Sequence, residues 1–585
     1  MAAIALGWIA DNAPDDLVDP LEDVVTQWRA QAALPLGALW QAMVRRLSQY
    51  GCFDLAAEAC RTALSLEPNQ PALQIRLGEM LGRSGQAEAA REVLTAVRGT
   101  ARHRRDALLA LLTLGGLAAV PLFDELEALL AGDSDWDGGH RALIERLVAA
   151  GQAGRAGVFL ESWTGRWGVD PAKGFDLGVA AMLAGRPHLA RDWFTPVWAE
   201  LSLAADPVVG PFDGTIAPYD DGVEASLVAR IEAAFALDEA GLAVAWPDIG
   251  EVRQIPRRVM MLTFEHRGLP NDLADHFSLA AAEAGVDFHL HLDTALVLPG
   301  DFIGDEAEVA RRGEAFAEAL ARLRPDVVLF DCCSPVLARG FNPAMAAEFK
   351  ARFGFRLVCV ARDAHSQALA VLDSWLPVVE SMVVFDPLSP IFAPGHAPLK
   401  HKVIALPVPS LHAPFVEGGA RDLGLVFVGS VNWQPRQMLL SVLLSEDIDF
   451  TAVTGPRAAA EAPDTAAYAR LLGRARAVLN VSRHGPTDHL ITGRVWESIA
   501  VGSLLVEQDN PATARFFTPW RHYLPWRSVE DIVHIARLVE RRPDLAARIG
   551  AEARAWALRH YGNRRLWTTL LAHATRPLTE GDEAR

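Results

Sequence analysis

A chain of 585 residues is too long for one hydrophobic core, so two or three domains are expected. Hydrophobic residues make up 51% and mean hydropathy is +0.13, which excludes a largely disordered chain. The net charge of −18 at pH 7, with no long basic stretch, argues against nucleic acid or an anionic membrane as partner. No uncharged run reaches the roughly 18 residues of a membrane span. Cys52, Cys60, Cys332, Cys333 and Cys359 form no C-x-x-C pair, so neither a zinc site nor a disulfide framework is expected. The apolar start, Met1 to Ala10, lacks a basic flank and meets Asp11, Asp15 and Asp16; no secretory signal and a cytoplasmic location are expected.

The first third repeats. Gly51 and Gly85 lie 34 residues apart, as do Ala56 and Ala90, Gly151 and Gly185, and Ala156 and Ala190. Each Gly is placed at the bend of a helical hairpin, and each Ala lets the second helix approach the first. A bulkier residue follows four positions after each Ala: Cys60, Leu94, Leu160 and Phe194. Trp40, Met43, Leu47, Gly51, Ala56, Ala63 and Pro68, then Leu77, Gly78, Leu81, Gly85 and Ala90, resemble the tetratricopeptide repeat. The resemblance implies a helical solenoid whose concave groove takes an extended partner. Between about 98 and 140 the pattern lapses, although Leu109 to Leu114 and Leu122 to Leu130 still read as helical.

Asp206-Pro207, Gly210-Pro211 and Pro218 to Gly222 punctuate the chain. One amphipathic helix near Val223 to Ala240 follows, and a domain boundary is placed near 248. Short apolar runs then alternate with helices. Strands are expected at 258–263, 288–292, 326–330, 357–361 and 382–385, with helices at 272–284 and 306–323. Uninterrupted apolar strands are buried on both faces, which implies a parallel, doubly wound sheet.

After Val403 to Pro409 a second alternating unit begins. It has strands at 425–429, 448–453, 477–481 and 503–507, helices at 435–444, 463–475 and 492–501, and a helical tail from 529 to about 574. The expected fold is therefore α plus α/β. A repeat-like helical solenoid spans 1–247, a first Rossmann-like domain 248–412, and a second, with C-terminal helices, 413–585. Ligands in such sheets sit beyond the carboxyl ends of the strands.

Val426-Phe427-Val428-Gly429-Ser430, Pro435-Arg436, Asn480 to Arg483 and Gly493-Arg494-Val495-Trp496-Glu497 to Gly502 resemble the spore-maturation-type family of GT-B glycosyltransferases. Phe516 to Pro519, His522-Tyr523, Ser528 to Asp531 and Tyr561 extend that resemblance, which covers about 420–570 well and 255–410 loosely. It implies two facing Rossmann-like domains, with a nucleotide-sugar donor on the second and the acceptor on the first. Glu497 then takes the donor ribose, because a carboxylate accepts from both hydroxyls of a vicinal diol. Arg494 and Arg436 take the diphosphate, and Gly429-Ser430 brings backbone amides toward it. Relatives place a second glutamate eight positions before Glu497; here His489 stands there, beside Asp488.

A base for the acceptor proton is sought in the first sheet domain, just past the fourth strand. Asp363 and His365 are the candidates there, and His266, after the first strand, is the next. The D-x-D patterns Asp133-Ser134-Asp135 and Asp447-Ile448-Asp449 stand where a diphosphate-bound metal is not expected, so no metal and no cofactor are assigned beyond the nucleotide-sugar substrate. The expected activity is metal-independent glycosyl transfer to an acceptor, a protein (flagellin-like among others) recruited by the repeats. The alternatives are a non-catalytic scaffold with a degenerate GT-B domain and a sugar-nucleotide epimerase on the same fold.

Overall fold

The computed structural model describes the chain except residues 1–4, 7, 10–12, 14–20, 22–23, 26–35, 50–51, 115–118, 203–209, 211, 243, 248–257, 265–271, 298–305, 333–339, 363, 394–398, 430–433, 455–463, 483–489 and 577–585. It forms two compact units: 1–197 with 300–310, and 198–299 with 311–585.

The first unit is built of helical hairpins. Pro71–Arg83 pairs with Ala87–Arg98, Gly138–Ala149 with Ala153–Trp167, and Gly174–Leu183 with Pro187–Ser202. Gly85, Gly151 and Gly185 occupy their bends with φ of +83°, +73° and +68°, a conformation that side chains disfavour. Gly51 lies outside the described residues. Ala56, Ala90, Ala156 and Ala190 are fully buried, as are Cys60, Leu94 and Leu160, and Phe194 nearly so. Gly78 and Gly178 complete the pattern. A Cβ on Gly78 would stand 2.4 Å from Leu94 Cγ, and one on Gly178 would stand 2.3 Å from the Phe194 ring. Each large residue of the second helix thus fills a notch cut by a glycine in the first. The stretch where the pattern lapses is still helical, at Arg104–Thr113 and Ala119–Ala131.

The second unit carries two parallel sheets. The first is ordered β2-β1-β3-β4-β5-β6, with β1 Arg258–Thr263, β2 Asp287–Leu292, β3 Val327–Cys332, β4 Arg356–Ala361, β5 Ser381–Val384 and β6 Val403–Ala405. The second is ordered β11-β10-β9-β7-β8, with β7 Leu423–Gly429, β8 Phe450–Thr454, β9 Ala475–Asn480, β10 Leu504–Gln508 and β11 Leu524–Trp526. All nine expected strands are present. The two additional ones, β6 and β11, are three-residue edge strands, too short to carry a pattern.

Two boundaries differ from those expected. The sheet-bearing unit begins at Trp198, not near 248. The Trp198 indole donates to Gly210 O (3.0 Å), and Gly210 packs so closely on Arg527 O that a Cβ would lie 2.6 Å away. The Asp221–Phe235 helix is tied down by Arg541 to Glu224 (3.3 Å) and Arg548 to Glu232 (2.7 Å). The second boundary fails at the chain's end. The Asn563–Thr575 helix returns to the first sheet domain, where Trp567 meets Phe277 and Phe288 edge-on at 5.7 and 5.6 Å. One continuous core, from Val259 to Ala574, runs through both sheet domains.

Candidate functional site

Gly429 and Asn480 end β7 and β9, Glu507 stands one residue before the end of β10, and all three share the carboxyl edge of the second sheet. Arg494 reaches this edge from the first turn of the Gly493–Ala500 helix. Its Nη1 donates to Asn480 Oδ1 at 2.9 Å, and its guanidinium lies 5.3 Å from the centre of the Phe427 ring. Thr492 Oγ1 donates to the same Asn480 oxygen (3.0 Å). A Cβ on Gly429 would sit 2.8 Å from Arg494 Nη2, so glycine is what lets the guanidinium reach the end of β7. Arg436, on the Gln434–Ser445 helix, donates to Val481 O at 3.2 Å. Burial and the Arg494 charge push its pKa down to about 10. Two guanidiniums close enough to repel, with Arg494 Nε lacking a hydrogen-bond partner among the described residues, make an anion-seeking site. Ser430 and His489 lie outside the described residues.

Glu507 was not read from sequence. It is fully buried beneath this edge and accepts from Asn480 (2.7 Å), Thr513 (3.2 Å) and Asn510 (3.4 Å). Burial pushes its pKa up to about 7, against the pull of those hydrogen bonds. No local pattern distinguishes such a glutamate from its solvated counterparts.

Glu497, expected to take the donor ribose, does not stand in an open crevice. It is 2% exposed. Its Oε1 is 3.1 Å from His276 Nε2, and its Oε2 accepts from the Tyr468 hydroxyl at 2.7 Å. Gly493 makes room for the carboxylate, since a Cβ there would lie 2.8 Å from Oε1. Burial acts to raise the Glu497 pKa, but the His276 hydrogen bond and charge, the Tyr468 hydroxyl and Arg494 outweigh it and hold it below its ordinary value. A diol would have to displace His276 and Tyr468 to reach it.

At the carboxyl edge of the first sheet, Asp331 is fully buried. It accepts from Thr263 Oγ1 (2.7 Å) and from Arg362 Nε (3.0 Å). This Thr263–Asp331–Arg362 cluster, from the ends of β1, β3 and β4, was also not read from sequence. His365 follows closely and is buried. Asp363 and His266 lie outside the described residues, as does Cys333. The Cys359 thiol is raised by burial and by its contact with Cys332, in keeping with inert core thiols. Of the D-x-D pairs, Asp133 and Asp135 lie between two helices and Asp447 is fully exposed before β8. Among the described residues no group of three His, Cys, Asp or Glu side chains is arranged to hold a metal ion. No described helix is long and apolar enough to cross a membrane.

Residues 428–572 match the family model described as glycosyl transferase-like. The matched stretch holds Gly429, Arg436, Arg494, Glu497 and Glu507. No curated protein matches the chain. Among solved structures it is similar to Anabaena HepE in complex with UDP and glucose, at 9% identity and a TM-score of 0.37, covering 54% of this chain and 98% of that one. It is similar to an O-GlcNAc transferase variant of Thermobaculum terrenum at 15% identity and a TM-score of 0.33, covering 86% and 96%. It is also similar to the lipopolysaccharide outer core galactosyltransferase WaaB in its apo form, at 10% identity and a TM-score of 0.31, covering 54% and 98%.

Proposed function

We propose that the protein is a glycosyltransferase whose second sheet domain binds a nucleotide-sugar by its diphosphate. The observation that carries this reading is the pair of guanidiniums, Arg494 and Arg436, at the carboxyl edge of a parallel sheet inside the glycosyl transferase-like stretch. In the reaction the bond from the sugar's anomeric carbon to the diphosphate breaks, and an acceptor oxygen forms the new one. The leaving diphosphate gains charge, which fixed cations stabilise; the arginines fill the role that a metal takes elsewhere. Asp363, His365 or His266, on the first sheet domain, takes the acceptor proton. The helical hairpins, read as tetratricopeptide-like, recruit a protein acceptor in the cytoplasm.

The test is calorimetric titration of the full chain with UDP, GDP and ADP, followed by transfer from the matching sugar nucleotides with and without EDTA. One diphosphate binds the wild type. Removing a charge-assisted contact of about 1.5–3 kcal/mol weakens Arg494→Ala by about ten-fold or more. Equal affinity of the two proteins refutes the site. The competing reading is a non-catalytic scaffold, favoured by the engagement of both Glu497 oxygens. Binding without transfer or hydrolysis of any donor decides for it.

A further inference from the structure

His276, on the Asp272–Ala284 helix of the first sheet domain, and Glu497, on the second, meet across 221 residues of sequence and are 1% and 2% exposed. His412, in the segment after β6, is the third member and is also 2% exposed. Phe415 packs on both imidazoles, with ring centres at 5.0 and 5.7 Å.

The hydrogen-bond chain determines its own protons. His412 Nδ1 lies 2.7 Å from the Ala413 carbonyl, which only accepts, so Nδ1 carries a proton. Burial, together with the His276 charge, pushes the His412 pKa down to about 4, so its Nε2 is bare at neutral pH. That Nε2 accepts from His276 Nδ1 at 2.9 Å. His276 Nε2 then faces Glu497 Oε1 at 3.1 Å, with the Ser410 hydroxyl at 3.4 Å. The other Glu497 oxygen already accepts from Tyr468. Both bonds of His276 are made together only when both of its ring nitrogens are protonated. The remaining charged groups facing this chain are Asp275 and Glu283 on the His276 helix and Arg494 on the Glu497 helix. Asp275 accepts from the Thr465 hydroxyl and Glu283 from Asn563 Nδ2.

We propose that His276 is a positioning residue. As a doubly protonated imidazolium it latches Glu497 to the first sheet domain and thereby fixes the helix turn that presents Arg494 to the donor diphosphate. This rests on the donor-site reading above. Protonation of His412 near pH 4 sets N–H against N–H, so the latch opens in acid.

The experiment pairs two readouts on the full chain at pH 7: amide hydrogen exchange at 493–500 and 408–413, and UDP affinity by calorimetry. His276→Leu removes the donor to a charged acceptor, so affinity falls by about ten-fold or more and protection at 493–500 is lost. His276→Gln keeps a donor to Glu497 and holds both readouts near wild type. If His276→Leu fails to fold, His276→Asn, whose shorter amide falls short of Glu497, decides in its place. Wild-type protection and affinity in the Leu or Asn variant overturn the latch. Arg494→Ala with wild-type UDP affinity overturns the donor reading instead, and exchange at 493–500 still decides the latch without any nucleotide.

Discussion

Acid should unfold the sheet-bearing unit through its buried neutral histidines. Burial pushes His412 and His573 down to about 4 and His522 to about 3, from an ordinary value of 6.5. All three are nearly inaccessible, at 2%, 5% and 0% exposure. A histidine depressed in the folded state stays neutral there while the unfolded chain binds its proton. Stability is thus present above 6.5 and lost as pH falls toward the folded value. At 1.36 kcal/mol per unit, taking pH from 7.5 to 4.5 removes about 2.5 kcal/mol for each histidine, about 7.5 in all. Glu507 works the other way. Raised to about 7 from 4.5, it destabilises the folded state at pH 7.5 and returns about 2.8 kcal/mol by pH 4.5. Glu497, held below its ordinary value, adds to the acid loss. The net loss of about 5 kcal/mol is a large share of a domain stability of about 5–15 kcal/mol. Urea denaturation followed by tryptophan fluorescence at pH 7.5 and 4.5 measures it. His573→Gln, whose amide can still meet the Ser381 hydroxyl now 2.7 Å from Nδ1, should reduce the loss by about 2.5 kcal/mol. A stability that is flat or rises between these two pH values refutes the reasoning.

Gly429→Ala places a methyl 2.8 Å from Arg494 Nη2, at a φ of +155° that side chains disfavour, and should weaken nucleoside diphosphate binding several-fold; unchanged affinity would separate Gly429 from the anion site. Phe194→Ala empties the notch over Gly178 and should cost about 3–5 kcal/mol, read by denaturation of the helical unit, with no effect on nucleotide affinity. Deleting 1–197 should leave nucleotide binding intact and abolish transfer to the natural acceptor; full transfer by the shortened chain would remove the recruiting role from the hairpins.

What the chain alone determined is whatever rests on local pattern. β1, β3, β4, β7, β9 and β10 are legible because a strand covered on both faces must be apolar at nearly every position, and no neighbouring segment is needed to say so. Gly85, Gly151 and Gly185 are legible because a left-handed bend recurring at a fixed interval excludes side chains. Arg494 and Gly429 could be named for the same reason, since each marks the end of an element with a known direction.

Only the tertiary structure decided what those ends meet. Glu497 reads as a ligand for the donor ribose, yet Gly493 admits it to a buried junction with His276 and His412, residues with no sequence relation to it. Glu507 and Asp331 each stand one residue before the end of an apolar strand and are set apart only by partners contributed from other strands and loops. The last helix crosses to the first sheet domain because Trp567 finds Phe277 and Phe288 there. Burial of a polar group depends on which distant surfaces close over it. Periodicity records only which face of an element is apolar.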